Sequence, residues 1–508
     1  MVKSYSSEKI FEKRQYQLDA VEKARYNVGL GHKRIIIHAP TGSGKTKIAS
    51  DITVLGRARQ KKILFLANRR ELIFQAKNTL EETGLNCGLI MAGEPHNHDA
   101  DIQIASMQTY IRRMDLDELK FNRWWHDADI IFVDECHTSI SPSYMKILKA
   151  YGDRAVVIGL TATPCRSDGR GLGEYYSKIV KTVSIGELIK LGYLVPFRYF
   201  APSIPDYSDA PPLVNGDYAI GYLGQKLNQK KLIGDIYDNW SQICPDRPTI
   251  VFATTIAHSI ALEQQFLSRG IDARHLDHKT PKDYRADSLD RFNNGRLQVL
   301  INHGILCEGT DLPPASCIIL ARGTKSLGRY IQMGGRGSRT SMETGKRDCI
   351  ILDHGGCINE HGFLETDYEW TLDGTKKAWQ EQKHEVEEHK PMICSSCGAV
   401  MDGLTVCPDC GSPMKRYGKI REVQDGELKE VGKKEFTMAD KRQFYGMCEF
   451  YRIEKGYSEG WASHKYRDKF GVWPNQIKDT MPIQPDQKFL NWITYCNIKH
   501  AKSKGKHA

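Results

Sequence analysis

Two stretches of the sequence hold residue types at a spacing that suits one reaction. In RIIIHAPTGSGKTKIAS, residues 34–50, a short apolar run ends in a turn with glycines at positions 42 and 44, and Lys45 and Thr46 follow at once. Small residues let backbone N–H groups converge on an anion, and a helix beginning there points its positive end at the same place. Lys45 offers a point charge suited to β- and γ-phosphates, and Thr46 a hydroxyl suited to Mg²⁺. The pattern is that of a phosphate loop, with Ala39 where its general form has the first glycine. A glycine-rich turn without a ligand is the other reading. In DIIFVDECHTSI, residues 129–140, a second apolar run ends in Asp134 and Glu135, with His137 two residues on. Alone, the pair is either a solvated acidic turn or a cation site. Beside a phosphate loop, Asp134 suits the Mg²⁺ of a bound nucleotide and Glu135 the polarisation of an attacking water.

Such groups need strands that end together. The runs KKILFLA, DIIFVDE, RAVVIGLTA, TIVFA, LQVLIN and SCIILA are apolar throughout and alternate with longer helical stretches. That alternation predicts α/β layers with parallel sheets, whose strands are buried on both faces and whose ligands bind beyond their carboxyl ends. A proline-rich stretch, residues 201–218, lies between the two sets of strands and reads as a linker with a lead-in.

At this point the chain resembles the superfamily-two helicases and translocases, in the DEAD/DEAH-type variant written here DECH, and among them the DNA helicases of phages and bacteria. The motifs run in order over residues from about 10 to 355. RQYQ resembles the adenine-reading element, which implies Arg14 and Gln17 at the base. APTGSGKT implies Thr41, Gly42, Ser43, Gly44, Lys45 and Thr46 around the phosphates. ANRRELIFQA and IASMQTY are similar to backbone-contacting segments, with Arg69, Arg70, Ser106 and Gln108 as candidates, and TIVFATTIAHS adds Thr254. GLTATP resembles the motif coupling hydrolysis to movement, through Thr161 and Thr163, with His137 and Gln332 as relays. VLINHGILCEGTDLP implies Gly309 and Asp311 near the nucleotide, and YIQMGGRGSR implies Arg336 and Arg339 as arginine fingers. The resemblance implies two tandem RecA-like domains with ATP and Mg²⁺ in the cleft between them. It also makes Glu135, Lys45, Arg336 and Arg339 the catalytic set. A finger carried by a second domain stabilises transition-state charge only when the cleft closes, so hydrolysis and closure are coupled.

Further on, CSSCGAVMDGLTVCPDCG, residues 394–411, places Cys394, Cys397, Cys407 and Cys410 in two C-x-x-C-G hairpins. Four thiolates at that spacing suit a tetrahedral Zn²⁺ in a short ribbon; a redox pair or free thiols is the alternative. Beyond it, Phe444, Met447, Cys448 and Tyr451 fall at i, i+3, i+4 and i+7, as do Phe489, Trp492, Ile493 and Cys496. Ala462, Tyr466, Phe470 and Trp473 make a third apolar stripe. The expected order is a first RecA-like domain over 1–195, a second over 196–365, a connector with a four-cysteine zinc ribbon over 366–432, and a small basic helical domain over 433–508.

Composition bounds what remains. The 508 residues carry a net charge of +10, and residues 411–508 alone hold 20 Lys and Arg against 12 Asp and Glu, a net of +8. A basic tail suits a polyanion or an accessory protein, or is a solubilising end. No uninterrupted apolar run is long enough to span a bilayer, and the start MVKSYSSEKIFEKRQ lacks the apolar stretch of a signal peptide. The expectation is a cytoplasmic, monomeric protein of a bacterial or phage-infected cell, acting on nucleic acid, DNA before RNA. DEAD-box RNA unwinders have DEAD, PTREL and HRxGR where this chain has DECH, ANRREL and QMGGR. An RNA helicase, a restriction-system motor and an ATP-switched recruitment protein that does not unwind are the competing readings.

Overall fold

The computed structural model describes residues 14–97, 99–120, 126–166, 169–201, 207, 209–214, 216–227, 230–306, 309–373, 391–394, 400–402, 414–416, 429–431, 438–470, 473–474, 477–486, 489–490 and 492–493. Cα packing groups the chain into two compact units, the first holding the two large sheets and the second the small sheet with the C-terminal helices.

The first lobe of the large unit alternates helices and strands: α1 (Gln15–Gly29), β1 (Arg34–His38), α2 (Lys45–Arg57), β2 (Ile63–Ala67), α3 (Arg70–Glu81), β3 (Cys87–Ile90), β4 (Ile102–Ser106), α4 (Met107–Lys120), β5 (Ile130–Asp134), α5 (Pro142–Tyr151), β6 (Val156–Thr161), β7 (Lys178–Lys181) and α6 (Ile185–Lys190). Its sheet has the order β3-β4-β2-β5-β6-β1-β7, and every pairing is parallel. The apolar runs fix this arrangement, because central strands of a parallel sheet face helices on both sides. In β2, Ile63, Leu64, Phe65 and Leu66 are each 2 % exposed or less. Each such side chain contributes about 1.5–3 kcal/mol by leaving water. The edge strand β7 reads KIVK instead, and its lysines guard the open edge. Ser184 and Glu187 cap α6 reciprocally, the Ser184 Oγ accepting from Glu187 N (3.1 Å) and Ser184 N donating to Glu187 Oε2 (2.7 Å).

The second lobe comprises β8 (Phe197–Ala201), α7 (Ile220–Leu227), α8 (Lys230–Ile243), β9 (Thr249–Ala253), α9 (Ile256–Leu267), β10 (Ala273–Leu276), α10 (Lys282–Asn293), β11 (Val299–Asn302), β12 (Cys317–Ala321), α11 (Leu327–Gly335), β13 (Cys349–Asp353) and α12 (Cys357–His361). Its strands run parallel in the order β10-β11-β9-β12-β13-β8. Trp240 anchors one face: it is fully buried, its Nε1 donates to Thr249 Oγ1 (2.8 Å), and its ring meets Phe266 edge-on at 5.1 Å. The first sheet ends at Lys181 and the second begins at Phe197, so the lobes divide near residue 195.

In the second unit, β14 (Pro391–Cys394) pairs antiparallel with β15 (Val400–Asp402) and β16 (Met414–Arg416). The helices α13 (Met438–Lys455) and α14 (Gly460–Phe470) pack Phe444, Met447, Cys448, Ala462 and Tyr466 into one core with Phe489 and Ile493. The first stripe thus forms as its spacing predicts, and Phe489, Trp492 and Ile493 of the second pack in the same core. Trp473 departs from its stripe: it lies beyond the end of α14, is 44 % exposed, and is covered by the Arg467 guanidinium at 4.8 Å. Cys397, Cys407, Cys410 and Cys496 lie outside the described residues. No helix among the described residues is long and apolar enough to cross a membrane.

Candidate active site between the lobes

Strand register brings the expected groups of the first lobe together. His38, the last residue of β1, pairs with Thr161 of β6, and Asp134 of β5 pairs with Leu160. The phosphate-type turn, the carboxylate pair and the coupling threonines therefore leave three adjacent strands at the same end. The turn itself needs its glycines. Gly42 and Gly44 both have φ of +82°, where side chains are strained, and Gly44 caps α2. A Cβ at Gly44 would sit 2.5 Å from Gln17 Nε2, and one at Gly42 2.7 Å from Leu194 Cδ2. Tyr16 and Gln17 hold the turn from α1, the Tyr16 hydroxyl (2.7 Å) and Gln17 Nε2 (2.9 Å) both donating to the Ser43 carbonyl. Arg14 lies over the Tyr193 ring at 4.0 Å and donates to Tyr16 Oη. So Gln17 reaches the loop backbone, and its donor group is engaged there.

At the centre, Lys45 Nζ donates to Glu135 Oε1 at 2.8 Å, with both side chains about one-sixth exposed (15 % and 16 %). Burial works against the charge on Lys45, but Glu135 and then Asp134 outweigh it and raise its pKa. Burial likewise opposes ionised Glu135, yet Lys45 and His137 hold its carboxyl well below the usual carboxylate range. Asp134 is buried and its Oδ1 accepts the Glu135 N–H at 3.1 Å. Glu135 has φ of +46°, unusual for a residue with a side chain. That strain, of order 1–3 kcal/mol, is typical of residues fixed for a task. Its Oε2 is buried with no sound hydrogen bond; His137 Nδ1 stands 3.4 Å away but is shared with Thr161 Oγ1 at 3.2 Å. An aligned ammonium, two carboxylates, one unsatisfied carboxylate oxygen and a glycine cradle fit a phosphate chain and its Mg²⁺. Thr161 Oγ1 also accepts from Thr163 N (3.0 Å), which ties His137 to the GLTATP loop.

The second lobe closes this site with α11. Glycines ease the approach: a Cβ at Gly328 would lie 3.2 Å from Thr163 Oγ1, and one at Gly335 3.0 Å from Thr41 Cβ. Gln332 on this helix and Arg336 at its C-cap are buried. Arg336 Nη1 donates to the Thr310 carbonyl at 2.6 Å, and Arg339 is ion-paired with Asp311. Both arginines are thus engaged within their own lobe, and Asp311 meets an arginine. Gly309 approaches Leu72 and Arg69 of the first lobe, not the phosphate turn.

A cavity of about 470 Å³ opens beside α11, lined by Arg69, Arg166, Arg322, Arg329, His137 and Gln332 among others. Arg69 bridges the lobes by donating to the Ile305 carbonyl (3.2 Å). Arg70 pairs with Glu94, and Ser106 Oγ donates to Gln108 Oε1 (3.0 Å). Thr254 differs from its expected role as a backbone contact. It is fully buried and its Oγ1 donates to the Ala321 carbonyl (3.0 Å), so it joins the ends of β9 and β12. Arg322 and Arg329, in the cavity wall, went unread in the sequence, as did Tyr16 and Asp217. The only signal for the arginines was their closeness to YIQMGGRGSR, and Asp217 gave none.

Comparison with known proteins agrees with this fold. Residues 10–166 match the family of the type III restriction enzyme res subunit, and residues 232–341 the helicase conserved C-terminal domain. A 51.5 kDa protein of a Lactococcus phage is 29 % identical over 419 residues, covering 80 % of this chain and 85 % of the phage protein. A Saccharomyces cerevisiae protein carrying the ATP-dependent helicase name IRC3 is 32 % identical over 361 residues, covering 67 % of this chain; the chain spans about half of that relative's length (51 %). Among solved structures, a fragment of an HsdR-type subunit of a type I restriction enzyme from Vibrio vulnificus shares the fold with a TM-score of 0.54 at 24 % identity, over 69 % of this chain and 67 % of the fragment. With both lobes matched by helicase families and the phosphate turn, carboxylate pair and arginine helix assembled at their seam, the chain belongs to the superfamily-two helicases.

Proposed function

We propose that this chain is an ATP-dependent DNA helicase or translocase, which couples ATP hydrolysis to movement on DNA in replication, recombination or repair. The observation that carries this reading is the buried Lys45–Glu135 pair, held in a glycine cradle directly opposite the helix that bears Arg336. Lys45 and the loop N–H groups bind the phosphates. Asp134 and Thr46 would hold Mg²⁺, which would supply charge neutralisation to the phosphates. A phosphate beside Lys45 competes with Glu135 for the ammonium, and the carboxylate so released accepts a proton from the attacking water. Arg336 and Arg339 exchange their present partners, Thr310 and Asp311, for the charge that develops in the transition state, and lobe closure is the motion that permits the exchange. His137, Thr161 and Thr163 carry the state of Glu135 to the cavity wall. The arginines of that wall, with Arg69, suit a nucleic-acid backbone.

DNA is favoured over RNA because the chain's DECH, ANRREL and QMGGR depart from the RNA-unwinder forms. Cys394, at the end of β14, with Cys397, Cys407 and Cys410, is proposed to hold a structural Zn²⁺, and the basic C-terminal helices to contact DNA or an accessory protein. The test is steady-state ATP hydrolysis with no nucleic acid, single-stranded DNA, forked duplex and RNA. Stimulation by DNA bears the reading out. Stimulation by RNA alone overturns the choice of substrate, and no hydrolysis under any condition overturns the motor.

A further inference from the structure

The proline-rich stretch expected to be a linker carries a buried carboxylate that reaches the arginine helix. Asp217 is 6 % exposed. Its backbone is fixed by reciprocal bonds with Val214, 2.8 and 3.1 Å. Among the described residues, every group its carboxylate meets, apart from the adjoining Tyr218 N–H (2.9 Å to Oδ1), belongs to the loop and first turn of α11. Oδ1 accepts from Lys325 N at 2.7 Å. Oδ2 accepts from Thr324 Oγ1 at 2.8 Å, is ion-paired with Arg329, and faces Arg322 Nη2 at 3.8 Å. From there the bonds run on into the helix. Thr324 Oγ1 accepts from Ser326 N at 3.1 Å, and the Ser326 side chain caps α11 by accepting from Arg329 N at 3.4 Å.

The helix needs such an anchor. It has nine residues, three of them glycine (Gly328, Gly334 and Gly335), and glycine costs about 1 kcal/mol each in a helix interior. Its intrinsic stability is therefore low, and its placement depends on what holds its ends. Arg336 and Arg339 fasten the last turn to residues 310 and 311. Asp217 fastens the first, where a negative charge also suits the helix N-terminus. The carrier segment is itself docked firmly. Tyr207 packs against Tyr218 at 4.8 Å and donates to the Gly355 carbonyl at 2.9 Å, and Gly323 lets it close in, since a Cβ there would lie 2.6 Å from the Tyr207 hydroxyl.

We infer that Asp217 is a positioning residue for catalysis: through Thr324, Ser326 and Arg329 it sets the register of α11, and with it the reach of Gln332, Arg336 and Arg339 toward the Lys45–Glu135 site. The inference rests on the motor reading above. Because the phosphate cradle belongs to the other lobe, loss of this anchor alters turnover and leaves nucleotide binding alone.

The test uses the full chain with Asp217→Asn, Arg329→Gln, their combination and Thr324→Val, each checked for its melting temperature. The amide in Asp217→Asn keeps an acceptor for Lys325 N but turns a donor toward Thr324 and Arg329. DNA-stimulated kcat is expected to fall about 10–100-fold in Asp217→Asn while KM for ATP stays within about twofold, the pattern of an interaction realised only in the transition state. The double variant is expected to match the worse single variant, because the two residues act as one unit. Thr324→Val, which breaks the hydroxyl relay without removing a charge, gives the same split should Asp217→Asn fail to fold. Unchanged kcat in the folded variants, a fall confined to KM, or multiplying losses in the double variant overturns the inference. A wild-type chain that hydrolyses no ATP with any nucleic acid overturns the motor reading instead.

Discussion

Replacing Glu135 with Gln separates its two duties in a single variant. At 2.8 Å and an effective dielectric near 20, the gross attraction to Lys45 is about 6 kcal/mol, most of it offset by the desolvation of two buried charges. Removing one partner is worse than neutral, since it leaves a buried ammonium, and such truncations cost about 3–5 kcal/mol. Asp134 remains as a second carboxylate that supports the Lys45 charge, so the low end applies, about 3 kcal/mol. At roughly 2 °C per kcal/mol for lobes of this size, the nucleotide-free chain should melt about 6 °C lower. Turnover should fall further, about 10²–10⁴-fold, through loss of the general base, while nucleotide binding persists on Lys45, Thr46 and Asp134. Differential scanning calorimetry, a fluorescent-nucleotide titration and phosphate release on one preparation read all three quantities. A kcat within about tenfold of wild type would refute the role of Glu135. A wild-type melting temperature would show that Lys45 is not held by this pair.

Three further outcomes are expected. Gly44→Ala forces a side chain into φ of +82° at about 1–2 kcal/mol and drives a Cβ against Gln17, so nucleotide affinity measured by titration drops about tenfold or more; unchanged affinity argues against the cradle. Burial pushes the pKa of His38 and of His258 down to about 4 from an ordinary 6.5, so the stability tied to their neutral forms is complete above pH 6.5 and is lost as pH falls toward 4. Each should cost on the order of 2 kcal/mol between pH 7 and pH 5, seen as a lower melting temperature that Asn at either position partly removes; equal melts at the two pH values refute it. Metal analysis of the purified chain should find one zinc per molecule, lost in Cys397→Ser or Cys407→Ser, and a metal-free wild type rules the ribbon out.

The parts of this fold that were legible are those where local chemistry leaves one solution. A run such as ILFLA or IIFVD, apolar on both faces, has to be an inner strand of a covered sheet, and a glycine turn before Lys45 and Thr46 has to be a cradle if it binds anything. What stayed hidden depends on pairing across long separations. Asp217 meets Arg329 112 residues away, inside a stretch whose prolines suggested only a connection. Thr254 sits in a motif-like segment, yet the parallel register of β9 and β12 turns its hydroxyl inward. The engagement of Arg339 with Asp311 is likewise invisible in sequence, because each was read toward the nucleotide and neither toward the other.

That last contact bears on how such a motor idles. Arg336 is held by a carbonyl and Arg339 by a carboxylate of its own lobe, contacts that the proposed fingers would have to leave on closure. On the proposed reading, the ease of breaking these contacts would set how readily a molecule off its track turns over ATP. On that reading Asp311→Asn, which loosens one of them, is expected to raise ATP hydrolysis measured without nucleic acid, and an unchanged rate refutes it.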